Sequence, residues 1–199
     1  MGEPPTREAV VPRLRGRFGR DVYRYVLVCT STQRLLVEDD PEGAVAVADV
    51  QTEGRGRLGR DWHAPAGTSV LVSVQLRPRV ETPRLPELSL VAGAAVAEAI
   101  AALTGLEPAL KFPNDVLVGG RKVAGVLAEA RDGRVVLGIG INVNQTAEEL
   151  PAEPRLPATS LRLETGAEQP RAELLALVLE RLERRYDEWL SGRGTAPSA

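Results

Sequence analysis

The chain has little of several things, and each scarcity excludes something. Cys29 is the only cysteine in 199 residues, so neither an intramolecular disulfide nor a cysteine-rich metal centre can be built. His63 is the only histidine, and no Ser–His–Asp arrangement is readable. Basic residues are not in excess: 25 Lys+Arg face 27 Asp+Glu. That is not the balance of a dedicated nucleic-acid binder, although a local basic cluster can still take an anionic ligand. The N-terminus shows no basic stretch followed by an apolar core, so no secretory signal is readable. The most apolar run, Leu88 to Leu103, carries Glu98 and is too short to span a bilayer comfortably. A cytoplasmic chain without membrane attachment is expected.

What is present suits one ordinary domain. The length allows a sizeable core, and 43% apolar residues fit a globular protein. Residues 1–20 mix Pro, Gly and Arg without periodicity and read as an irregular arm. Residues 21–192 form the domain, and 193–199 read as a tail. Tyr23 to Cys29 reads as a strand, followed by a short helix capped by Thr30, Ser31 or Thr32 and running through Leu35, Leu36 and Val37. Ala44 to Val50 is a second buried strand. Ser69 to Arg77 alternates, with Val70, Val72, Val74 and Leu76 on one face. A Pro-marked loop then feeds a buried helix that stops at Gly105. Val116–Val118, Arg121–Arg131 and Arg134–Asn142, joined by Gly119-Gly120 and Asp132-Gly133, predict an antiparallel meander. Residues 144–170 read as a long loop with a short helix. Leu174, Val178, Leu182 and Tyr186 mark a last helix from about Pro170 to Gly192. The fold class expected is α+β: a mixed, largely antiparallel sheet packed by helices.

Three segments carry chemistry. In Gln51-Thr52-Glu53-Gly54-Arg55-Gly56-Arg57-Leu58-Gly59-Arg60-Asp61-Trp62, glycines let the backbone approach an anion closely, and Arg55, Arg57 and Arg60 supply forked donors. A solvated basic loop is the alternative; the placement between two strands favours the anion site. Lys111-Phe112-Pro113-Asn114-Asp115 precedes Arg121-Lys122-Val123-Ala124-Gly125, and such Lys–carboxylate groupings are also common surface pairs. Gly138-Ile139-Gly140-Ile141-Asn142 places glycines inside an apolar strand, which implies either a bulge or close approach of a ligand or another backbone.

Taken in order, these segments resemble the biotin protein ligase family, the biotin–acetyl-CoA-carboxylase ligases. Ser31-Thr32-Gln33 resembles its short Ser-Thr-Asn/Gln motif, and Gly54 to Arg60 with Trp62 its GRGRxGRxW loop. Lys111 to Asp115 resembles KWPND, with Phe112 in place of Trp. Arg121 to Leu127 is similar to RKxAGIL, Gly138 to Asn142 to GxGIN, and Ala158-Thr159-Ser160-Leu161 to a further shared segment. The matches run across residues 30–161.

The resemblance implies the class II synthetase/biotin ligase fold and an enzyme that uses ATP and Mg²⁺ to form biotinyl-5′-AMP. The biotinyl group then passes to a lysine of a biotin carboxyl carrier protein or domain. Positioning and charge stabilisation carry both steps, so no protein nucleophile is required. By position, Ser31, Thr32 and Gln51 would hydrogen-bond the ureido ring, and Gly54 and Gly125 would allow close approach to biotin. Arg55, Arg57 and Arg60 would offset carboxylate and phosphate charge. Lys122 would bridge the carboxyl oxygen and the α-phosphate, as the leading catalytic residue beside Arg57. Asp115 would orient the incoming lysine or assist Mg²⁺; no metal ligands are assigned. Lys111, Asn114 and Asn142 fall to the nucleotide side, and Trp62 to packing of the loop. A homodimer is compatible with the family. Only about twenty residues precede the first strand, so no helix-turn-helix and no DNA binding are expected; nor is a C-terminal SH3-like domain. The rivals are a lipoate or octanoate protein ligase, a non-catalytic biotin- or nucleotide-binding module, and an RNA-binding Arg loop.

Overall fold

The computed structural model describes residues 3–131, 133–151 and 156–193. Its centre is a seven-stranded sheet. In chain order the strands are β1 (Tyr23–Cys29), β2 (Val45–Gln51), β3 (Ser69–Leu76), β4 (Ala109–Lys111), β5 (Asp115–Val118), β6 (Arg121–Arg131) and β7 (Arg134–Asn142). They lie side by side as β1-β2-β3-β7-β6-β5-β4. Only β1 and β2 pair in parallel; the other neighbours are antiparallel. The sheet is therefore mixed and largely antiparallel, as the sequence predicts. The predicted meander is β5-β6-β7. Gly119 and Gly120 both take positive φ in its first turn, a conformation that glycine alone adopts without strain. In the second turn Gly133 also has positive φ, while Asp132 lies outside the described residues.

One face of the sheet is covered by helices. β7 presents Val135, Leu137, Ile139 and Ile141 to that side, and β3 presents Val70, Val72, Val74 and Leu76. Against them pack α2 (Leu88–Thr104) and α4 (Arg171–Leu190). The α4 stripe is the predicted one: Leu174, Val178, Leu182 and Tyr186 are all buried. α2 ends on Gly105 in the left-handed conformation, whose N–H caps Ala101 O. With the 3₁₀ turn before it, α2 makes a helical stretch from Thr82 to Thr104 that is long and apolar enough to cross a membrane. Here its apolar surface is buried against the sheet and α4.

Two expectations change. The N-terminal arm is docked rather than loose: α1 (Arg7–Val10) is helical, and Ala9, Val10, Leu14 and Phe18 join the core. The anchor is Glu183 of α4, whose Oε2 accepts from Arg17 N at 2.7 Å and Phe18 N at 3.0 Å. The helix expected after β1 is only a 3₁₀ turn, Thr32–Leu35. It stops because Leu36 is already extended and the Asp40 carboxylate accepts from Val37 N at 2.8 Å, holding the chain in a turn. In the 144–170 loop the short helix is α3 (Leu161–Thr165).

At the N-terminus of α4, Arg171 is 1% exposed. Its Nη1 donates to Asp49 Oδ1 at 2.7 Å and to Ser69 O at 3.2 Å. Tyr25 Oη donates to the other Asp49 oxygen at 2.7 Å, and burial together with that carboxylate pushes the Tyr25 phenol up to about 12. One helix end is thus tied to β1, β2 and β3. Asp49→Ala strands a buried guanidinium and is expected to cost about 3–5 kcal/mol in urea unfolding, whereas replacing the exposed Glu53 should cost far less.

Candidate active site

The sheet's other face is built from small and polar side chains. Because side chains alternate along a strand, β7 turns Gly138, Gly140 and Asn142 to this side. In register with them, β3 turns Ser73, Leu71 and Ser69. β6 adds Gly125, opposite Gly140. Where Gly138, Gly140 and Gly125 lie side by side the floor has almost no side-chain height, and Leu71, opposite Gly140 on β3, is the large side chain beside it.

Lys122 reaches this floor through a bulge. Leu117 pairs with Lys122 and Val116 with Ala124, so Val123 is an extra residue in β6. In an unbroken strand Lys122 and Gly125 would face opposite sides; one inserted residue reverses the parity. A Cβ on Gly125 would lie 3.3 Å from Lys122 Nζ, which confirms the shared face. The segment after the long loop holds the bulge in place: Lys122 N donates to Pro157 O and Thr159 N to Lys122 O, both at 2.8 Å. Lys122 Nζ lies 2.7 Å from Asp115 Oδ1, with the two side chains 25% and 18% exposed. Lys122 is therefore a half-buried, ion-paired residue, not the surface-facing one that its neighbouring polar sequence suggests.

The Gly/Arg segment closes back on itself above the floor. Trp62 N donates to Gly54 O at 2.9 Å and Gly56 N to Arg60 O at 2.7 Å, with Arg55 and Asp61 bridged across. Its tip is Leu58, 86% exposed with φ of 59°, a left-handed conformation that costs a leucine about 1–2 kcal/mol. The loop ends on Trp62, whose indole lies on the glycines. A Cβ on Gly140 would fall 2.4 Å from Trp62 Cε2, and one on Gly125 3.0 Å from Cζ3. The close approach implied by the glycine strand is thus made by a side chain. Lys122 Nζ sits 5.5 Å from the ring centroid, within the range of cation–π attraction. Trp62 does anchor the loop, as expected, but it does so inside the site. Its Nε1 is buried without a hydrogen-bond partner among the described residues.

At one end of the floor, Thr32 gathers the predicted polar group. Its N and Oγ1 donate to Gln51 Oε1 at 2.7 and 3.0 Å, and its Oγ1 lies 2.7 Å from Ser73 Oγ. Ser31 is buried beside it in sequence. Gln33 covers Gly138, and its Nε2 donates to Val136 O at 3.2 Å. At another edge, Arg57 Nη1 donates weakly to Asn114 Oδ1 at 3.4 Å, while Asn114 Nδ2 holds Val126 O at 2.8 Å. Arg55, Arg60 and Lys111 are exposed, and Lys111 pairs in register with Asp115. The peptide before Pro113 is cis, and Phe112 is 67% exposed.

Asn142 is 5% exposed. Its Nδ2 donates to Thr159 O at 3.0 Å, and its Oδ1 accepts from Gln145 Nε2 at 3.1 Å. Sequence reasoning passed over Ser73, Gln145 and the role of Thr159. Ser73 is flagged only by a polar residue on the alternate face of an apolar strand, and Gln145 carries no signal beyond its place after the glycine strand. Together the site offers a lysine next to a carboxylate, a set of neutral hydrogen-bonding groups, and exposed guanidinium groups above a shallow floor. Such a site can bind an extended ligand with a polar neutral end and an anionic end.

The family profile described as the Biotin/lipoate A/B protein ligase family matches residues 25–145. Among curated relatives, the bifunctional ligase/repressor BirA of Bacillus spizizenii is 39% identical over 176 residues, covering 84% of this chain and 54% of that one. The biotin–[acetyl-CoA-carboxylase] ligase of Mycobacterium tuberculosis is 44% identical over 156 residues, covering 75% and 56%. The chain thus spans about half the length of these relatives. Among solved structures, the biotin protein ligase from Aquifex aeolicus in complex with biotin and ATP superposes with a TM-score of 0.78 at 38% identity, covering 86% of this chain and 72% of that one.

The Gly140→Ala substitution tests the placement of Trp62. Because the clash falls on the far end of a side chain, the indole should leave the floor while the fold is retained. Tryptophan emission should shift to the red and become open to acrylamide quenching, against the constant background of the buried Trp189. An unchanged spectrum would mean that the ring does not rest on Gly140.

Proposed function

Because the chain belongs to the biotin/lipoate A/B protein ligase family, we propose that it adenylates biotin with ATP and transfers the biotinyl group to a lysine of a carboxylase carrier domain. The observation that carries this reading is the bulge that turns Lys122 onto the face that also holds the glycine floor, the Thr32–Gln51–Ser73 cluster and Asn142.

Each group then has work suited to its chemistry. The neutral cluster of Ser31, Thr32 and Gln51 meets the ureido ring, which offers both donors and an acceptor. The carboxylate end lies toward Lys122. There a biotin carboxylate oxygen attacks the α-phosphorus of ATP, the new O–P bond forms, and the α–β bridge breaks to release pyrophosphate. Negative charge concentrates between carboxylate and phosphate, where Lys122 and Arg57 stabilise it. In the second step the acceptor amine attacks the acyl carbon, loses a proton, and AMP leaves. Asp115, already beside Lys122, is placed to orient that amine. Arg55 and Arg60 fold over the anionic portion, and Lys111 and Asn114 flank it. Gly54 and Gly125, expected from sequence to admit biotin, instead admit Trp62, whose carbonyl and ring lie 2.4 and 3.0 Å from where their Cβ atoms would fall. The Mg²⁺ enters as part of the substrate MgATP. Among the described residues no group of three His, Cys, Asp or Glu could hold a metal ion, and Mg²⁺ commonly takes phosphate oxygens and water with at most one or two carboxylates.

The test is incubation with MgATP, a biotin carboxyl carrier domain, and biotin, lipoate or octanoate in parallel, with AMP formation and acyl incorporation followed. Biotin-dependent AMP formation is expected; a response to lipoate or octanoate alone would move the chain to the other branch of the family, and no acyl-dependent AMP would overturn the reading. Lys122→Ala should lower adenylation by a factor on the order of 10²–10³ with the fold intact. Near-normal turnover in that variant would remove Lys122 from the mechanism.

A further inference from the structure

Gln145 is 1% exposed and belongs to none of the motifs above, yet it sits on the residue placed against the nucleotide. Its Nε2 donates to Asn142 Oδ1 at 3.1 Å and to Ser69 Oγ at 2.6 Å. Its own carbonyl accepts from Ser160 Oγ at 2.7 Å, and Gln145 Oε1 is buried without a partner among the described residues. Ser69, Thr159 and Ser160 are fully buried, so water does not compete for these groups.

The direction of this relay follows from its one invariant member. Thr159 O is a backbone carbonyl and can only accept. The Asn142 atom facing it at 3.0 Å must therefore be the amide nitrogen. That turns Asn142 Oδ1 the other way, where Gln145 must present a donor. An amide nitrogen carries two hydrogens. Thr159 O takes one of Asn142's, and the second is left over. With its oxygen turned to Gln145, the second hydrogen of Asn142 Nδ2 is what the side chain has left to offer a ligand. The uncompensated Gln145 Oε1 is the cost of this arrangement, since a buried polar atom without a partner is destabilising.

We infer that Gln145 is a positioning residue, which holds the Asn142 side-chain amide as a hydrogen-bond donor toward an acceptor nitrogen of the adenine ring. The inference rests on the proposed ligase reading and on the nucleotide-side role that the family resemblance implies for Asn142. Gln145 touches no reacting atom and acts only through Asn142.

The experiment is a double-mutant cycle on the full chain. Gln145→Met keeps side-chain length and removes the donor; Asn142→Ala removes the group it orients. Gln145→Met alone should raise KM for ATP about tenfold, the factor that corresponds to about 1.4 kcal/mol, while kcat at saturating ATP and the affinity for biotin stay close to wild type. In the Asn142→Ala background the same change should do almost nothing to KM for ATP, because there is no amide left to orient. Gln145→Glu, which presents only acceptors to Asn142 Oδ1, should be worse than Gln145→Met. Equal effects of Gln145→Met in both backgrounds, or no effect in the wild-type background, would overturn the inference. A merely structural role would lower melting temperature and biotin affinity together with ATP affinity, and that pattern would overturn it too. ATP binding is also followed by calorimetry, without biotin or carrier. A wild-type chain that binds ATP through this relay but forms no biotin-dependent AMP would refute the ligase reading and leave the inference standing.

Discussion

The register of β7 is the constraint on which the rest depends. Along this strand Val135, Leu137, Ile139 and Ile141 face the helices, while Gly138, Gly140 and Asn142 face the site. A slip of one residue would place isoleucines on the floor and glycines in the core. Pairing runs without a break from Leu76–Val135 to Ser69–Asn142 on one side, and from Arg131–Arg134 to Ala124–Ile141 on the other. Glycine weakens an isolated strand. Here that weakness is offset because both neighbours are long and one face is fully buried. The floor is then covered by the Gln33 side chain over Gly138 and the Trp62 ring over Gly140, so the thin strand does not leave a void.

β6 obeys the same alternation except at one bulge. The extra Val123 moves Lys122 to the side that strict alternation forbids. Bulges leave a backbone group unpaired and need support, and the 157–159 segment supplies it by pairing with Lys122 on both sides of that residue. The same segment offers Thr159 O to Asn142. One short stretch of loop backbone thus sets both the position of the lysine and the polarity of the asparagine. This gives Ala158-Thr159-Ser160-Leu161 a structural reason to stand among the recognisable motifs although none of its side chains is assigned to a substrate.

How much was legible from sequence follows from which interactions are local. The meander, the α2 stop at Gly105 and the α4 stripe rest on short-range rules, and all are present. The three-residue β4 is too short for alternation to register, and it exists because β5 pairs with it. The arm looked loose because Pro12 and Gly16 break any period. Its apolar residues are buried because Glu183, more than 160 residues away in sequence, captures two successive amides. At the site, residue types were legible but faces were not. Lys122 and Gly125 are three apart, and only the bulge brings them to one side. The position of Trp62 was hidden for a related reason: a loop residue's packing partner is set by where the loop ends, and this loop ends on the glycines.

The charges of the site follow a single rule despite their different fates. A cation intended for an anionic ligand cannot be left both buried and alone, because desolvation without a partner costs several kcal/mol. Lys122 is half-buried, and Asp115 compensates it at 2.7 Å. Among the described residues Arg55 and Arg60 have no such carboxylate, and they remain in water, their backbone held by the hydrogen bonds that close the loop. Arg57 lies between these cases, exposed but leaning on Asn114. The backbone is therefore arranged in advance while the guanidinium groups keep their hydration. In the proposed reaction the free energy of drawing them inward is left for the ligand to supply, a demand that suits a ligand of substantial negative charge.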